Sequence, residues 1–73
     1  MELKENDTIE YVDGNKYWIV KKILIENLIF YQTIKIGNNA KNIVFVEKNG
    51  LEIVEDEEVL AIVSLKIIEE VNG

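Results

Sequence analysis

Apolar and polar residues alternate from Thr8 to Val12, with Ile9 and Tyr11 on one side of an extended chain and Thr8 and Glu10 on the other. That is the period of a half-buried strand. Asp13-Gly14-Asn15 follows as a turn, with Gly14 free to take positive φ. Lys16–Ile25 is the longest strand candidate, placing Tyr17, Ile19, Lys21, Ile23 and Ile25 on one face and Trp18, Val20, Lys22 and Leu24 on the other. Bulk on both faces marks it as central. Glu26-Asn27 fits a two-residue hairpin loop, in which Asn27 tolerates the left-handed conformation better than Glu26 does. Leu28–Ile36 returns as a third strand and Gly37–Lys41 reads as the longest loop. Ile43–Glu47 and Leu51–Val54 form a last pair around Asn49-Gly50, the strongest hairpin signal in the chain.

The final segment supports two readings. Asp56 offers a helix cap, with Glu57 and Glu58 favourably placed near the positive end of the helix dipole. Leu60, Val63, Ile67 and Val71 follow helical spacing, yet Val63, Leu65 and Ile67 alternate with Ser64 and Lys66 as in a strand. A terminal helix over residues 59–71 is the expectation, because a strand meander needs a cover. The alternative is a short helical turn followed by a sixth strand, an all-β chain. The expected class is therefore α+β: a small antiparallel β-meander of about five strands, able to curl into an SH3-like half-barrel, with a C-terminal helix. Residues 1–73 read as one domain.

Composition narrows the chemistry. The chain has no Cys, His, Arg or Pro, which removes disulfides, thiolate metal sites, thiol nucleophiles and the commonest general base. Twelve Ile and eight Val favour strands; together with many Asn and Lys they point to A/T-rich codon usage. A chain of 73 residues buries only about 60% of its unfolded surface, leaving little volume for a deep cleft. No secretory signal or membrane-length apolar run is evident, so the expected location is the cytoplasm. The expectation is a non-enzyme.

Charge is unevenly distributed. Met1–Val46 carries six acids and six lysines, whereas Glu47–Gly73 carries eight acids against Lys48 and Lys66, which accounts for the whole net charge of −6. Such a surface repels phosphate backbones and anionic lipid. Glu55-Asp56-Glu57-Glu58 lacks the alternating ligands and central Gly of a calcium loop, and reads as a solvated acidic cap. Asn6-Asp7-Thr8 matches a glycosylation sequon but reads as a strand entry. No metal or other cofactor is expected.

The segments Asn6-Asp7-Thr8-Ile9, Asp13-Gly14, Tyr17-Trp18-Ile19-Val20, Phe30-Tyr31, and Leu51–Val54 with Asp56-Glu57-Glu58-Val59-Leu60 together resemble short, acidic, uncharacterised proteins of Firmicutes, a domain of unknown function. The resemblance covers most of the chain. Its motifs are turns, core positions and a cap, and it implies no catalytic residues.

A terminal helix covers only one face of a small sheet. Trp18, Val20, Leu24, Ile29 and Tyr31, or else the opposite set, must then be buried by barrel closure or by a second subunit. These five residues, with Glu57, Glu58, Glu69 and Glu70, are the candidate interaction surface. The expected function is a cytosolic protein-interaction or accessory module whose partner is another protein, either a second copy or a basic chain. The alternative is a small nucleic-acid-binding barrel using Lys21 and Lys22, which the acidic balance disfavours.

Overall fold

The computed structural model describes residues 2–38 and 41–72. Five antiparallel strands, β1 (Thr8–Glu10), β2 (Lys16–Ile25), β3 (Leu28–Lys35), β4 (Asn42–Glu47) and β5 (Leu51–Ile53), are followed by helix α1 (Glu57–Asn72). The sheet order is β1-β2-β3-β4-β5, so every strand pairs with its neighbour in sequence. This is the expected α+β meander with a C-terminal helix, curled into a half-barrel. Residues 59–71 are helical, and the sixth-strand alternative is overturned.

Local chemistry explains the connections. Glu26 and Asn27 take φ of 49° and 68°, the pair of left-handed residues that a two-residue hairpin needs. Asn49 and Gly50 also have positive φ, but Glu47 stands opposite Leu51, so the connection is the three-residue loop Lys48–Gly50. Asn6, at φ 76°, donates its backbone N–H to the Ile19 carbonyl at 2.8 Å, so the sequon segment enters β1 as expected. Of the expected loop Gly37–Lys41, Asn39 and Ala40 lie outside the described residues. The Asp56 carboxylate accepts the backbone N–H groups of Glu58 at 2.8 Å and Val59 at 3.3 Å, the cap that starts α1.

One irregularity organises the rest. Ile19 stands opposite Thr33 and Lys21 opposite Gln32, leaving Val20 as an extra residue in β2. A bulge of this kind reverses the parity of everything beyond it. The unbroken alternation expected over Lys16–Ile25 is therefore corrected: Tyr17 and Ile19 share a face with Lys22 and Leu24, while Trp18 shares the other with Lys21, Ile23 and Ile25.

Each face consequently has its own core. Ile9, Tyr17, Ile19, Tyr31 and Phe45 form the first, with Leu3, Tyr11, Ile29, Ile43, Leu51 and Ile53 packed against it. Curling closes it: the Tyr11 ring, just beyond β1, lies 5.0 Å from Phe45 on β4 in an edge-on contact. Tyr17 meets Phe45 at the same separation. The second core joins Ile23, Phe30 and Val46 to Val63 of α1, flanked by Val59 and Ile67. Barrel curling thus buries one face and the helix buries the other.

Candidate functional site

The candidate residues separate according to the bulge and the curl. Tyr31 is 3% exposed and belongs to the first core; it offers no surface to a partner. Ile29 is half-buried against that same core. Val20 sits half-buried in the bulge, and Trp18, opposite Ile34 on the other face, remains 40% exposed. Leu24, by contrast, is 63% exposed. Trp18, Val20 and Leu24 therefore do not form the single face that the alternation suggested.

The acids also divide. Glu57 and Glu58 begin α1, whereas Glu69 and Glu70 lie near its end, about 18 Å further along at the helical rise per residue. The structure brings Leu24 together with Glu69 in one hollow and with Ile29 and Glu70 in another. Glu57 and Glu58 stand apart from both.

The outer side of α1 is the feature that strand-based reasoning missed. Ile62, Leu65, Ile68 and Val71 are all more than half exposed, although Val71 fits the same periodic series as the inward-facing Val63 and Ile67. The signal was present as a second spacing, Ala61, Leu65 and Ile68, at intervals of four and three. A helix carrying apolar side chains on opposite sides has one side more than a single sheet can cover.

Two lines of polar contact shape the neighbourhood of β2. The Lys22 ammonium donates to Glu2 Oε1 at 2.8 Å and to the Leu3 carbonyl at 3.0 Å, pinning the N-terminal segment across the sheet. This bond holds the Glu2 carboxyl below its ordinary pKa and raises that of Lys22. Lys21 lies 3.9 Å from Glu5. At the first turn, the Asn15 backbone N–H donates to Asp13 Oδ1 at 2.9 Å and the Tyr17 hydroxyl donates to Oδ2 at 2.8 Å. The Asn15 bond is the largest influence lowering the Asp13 pKa; burial first, and Asp13 second, push the Tyr17 phenol up. Burial likewise raises Tyr31.

Each of these displaced titrations has a structural cause in a turn, a strap or the core. Among the described residues no group of three or more acidic side chains is arranged to hold a metal ion. No helix among them is long and apolar enough to cross a membrane. Comparison with protein-family models, curated proteins and solved structures finds no match.

Proposed function

We propose that the chain is a non-catalytic protein-interaction module of the cytoplasm. The observation that carries this reading is the apolar surface formed by Leu24, Ile62 and Leu65, which line one hollow and are each more than half exposed, with Ile68 exposed one turn beyond Leu65 on the same helix. A small monomer gains nothing from leaving such side chains in water, and clustered exposed apolar groups mark contact surfaces. The acids at the end of α1 add a rim that favours a basic partner.

The nucleic-acid reading is weakened by the engagement of Lys21 and Lys22 with Glu5 and Glu2, which leaves little uncompensated positive charge to track phosphates. The test compares cross-linked complexes formed in native lysate by the wild-type chain and by Leu65→Lys/Ile68→Lys, both exposed positions. A complex retained by the first and lost by the folded variant supports the module. A chain that sediments as a monomer and forms no complex sensitive to these substitutions sinks it.

A further inference from the structure

β1 covers only part of its neighbour. It pairs over Thr8–Glu10 with Lys16–Trp18, and Asn6 and Asp7 extend the contact by two backbone bonds to Ile19. Beyond the bulge, no described strand lies on that side of β2. The two-residue turn makes Ile25 and Leu28 a hydrogen-bonded pair, and alternation then turns the backbone groups of Lys22 and Leu24 away from β3, towards the open edge. The Lys22 N–H confirms the direction: it donates outward, to the Glu5 carboxylate at 3.2 Å, so the groups left open to a partner start at the Lys22 C=O. Leu24 presents its N–H and C=O on the same edge.

Two hollows flank this edge. One, of about 370 Å³, lies between Leu24 and Ile25 on β2 and Ile62 and Leu65 on α1. The other, of about 380 Å³, takes in Ile29 and Lys22 with Glu2 and Glu70, and Leu24 lines both. A strand laid along the edge sends successive side chains to opposite faces of the sheet. One row would meet the apolar helix side and the other the acids.

Charge selects the occupant. Glu26, Glu69, Glu2 and Glu70 line the two hollows against Lys66 and Lys22, and both lysines face acids already, at 3.8 Å and 2.8 Å. Glu69 and Glu70 also sit near the negative end of the helix dipole, with no basic residue in the last turn, a local cost that a cation would relieve. A second copy of the chain would instead bring another net charge of −6 to the same place. We propose, building on the module reading, that the groove between the β2 edge at Lys22–Glu26 and helix α1 receives an extended segment of a basic partner protein as an added strand, with apolar side chains against Ile62 and Leu65 and lysine or arginine side chains towards Glu70.

The test titrates the full chain with hexapeptides alternating Val with Lys, with a Val/Glu counterpart, and with two Val/Lys versions N-methylated at one or the other alternate set of backbone amides. Amide resonances are followed by NMR. The Val/Lys peptide is expected to shift Lys22, Leu24 and Glu26 together with Ile62 and Leu65, to bind at least about ten-fold more tightly than the acidic one, the signature of charge complementarity, and to tolerate methylation in one register only. Glu69→Lys/Glu70→Lys, at exposed positions, should abolish that preference without lowering the melting temperature. Equal tolerance of both methylated registers, shifts confined to another surface, or no shift at millimolar peptide overturns the proposal. Sedimentation as a dimer that is lost in Leu24→Lys assigns the edge to a second copy and also overturns it. A lysate complex lost in Leu65→Lys/Ile68→Lys, with no peptide shift at the edge, defeats the groove alone and leaves the module reading standing.

Discussion

The Tyr17 hydroxyl donates to Asp13 Oδ2 at 2.8 Å, joining the start of β2 to the turn that precedes it. The ring of Tyr17 is buried beside Phe45, while Asp13 is solvent-exposed, so the bond anchors a surface turn to the first core. Asp13 holds the Asn15 N–H with its other oxygen. One carboxylate thus fixes both the shape of the turn and its attachment.

Removing that attachment should be measurable without unfolding the chain. Tyr17→Phe keeps the ring contacts and loses one hydrogen bond, an expected cost of about 1 kcal/mol. Asp13→Ala loses both bonds and should cost about 1–2 kcal/mol. In urea denaturation the two effects should fall short of additivity in the double variant, because the substitutions remove the same bond; full additivity would show that the bond contributes nothing.

Stability should decline at both ends of the pH range, for different residues. Tyr17 and Lys22 have raised pKa values in the folded chain, so their contributions are complete below about pH 10 and are lost as pH rises through those raised values. Asp13 and Glu2 have lowered values; their contributions are complete above about pH 4–5 and are lost as pH falls through the depressed ones. Solvent screening keeps the share of the exposed Glu2–Lys22 pair small. Denaturation midpoints measured from acid to alkaline pH should therefore show a plateau, with a steeper alkaline limb in wild type than in Tyr17→Phe. An unchanged alkaline limb in that variant would refute the assignment to Tyr17.

Two positions on α1 should respond very differently to truncation. Val63 is 1% exposed in the second core, and Val63→Ala should cost about 2 kcal/mol through lost burial and the cavity left behind. Leu65 points into solvent; Leu65→Ala should change stability by less than about 0.5 kcal/mol while weakening any complex. Thermal denaturation of the isolated chain separates the two. A large loss at Leu65 would mean that the outer side of the helix packs within the monomer.

The cap of α1 makes a further prediction. Asp56→Ala should destabilise by about 1 kcal/mol, whereas Asp56→Asn, which keeps an acceptor for the Glu58 and Val59 N–H groups, should recover most of it. Far-UV circular dichroism through the melt reads both. Equal losses in the two variants would trace the effect to charge rather than to capping.

Strand and turn chemistry act over a few residues, and they were legible. Ile9 and Tyr11 alternating with Thr8 and Glu10, the left-handed preference of Asn27 and Asn49, and Asp56 ahead of two glutamates each express a local rule, and a strand, two hairpin turns and a helix start formed at those places, although β1 stops at Glu10 and the Asn49 turn takes in Lys48 as a third residue. The helix at 59–71 was decided less locally. Its β-branched residues suit a strand, but Val63 and Ile67 gain more by covering Ile23, Phe30 and Val46.

The candidate site was legible only in part, since Leu24, Glu69 and Glu70 were identified from sequence and Ile62 and Leu65 were not. Alone, the sequence determined the meander, its turns, its capped terminal segment and the concentration of acid after Glu47, because period, turn propensity and charge are properties of neighbouring residues. Only the tertiary structure decided that Val20 bulges, that Tyr31 is core while Leu24 is surface, and that Glu69 and Glu70 come to rest beside an open strand edge. Those outcomes depend on strand register and on how the sheet curls under the helix, and both are set by contacts between residues far apart in the chain.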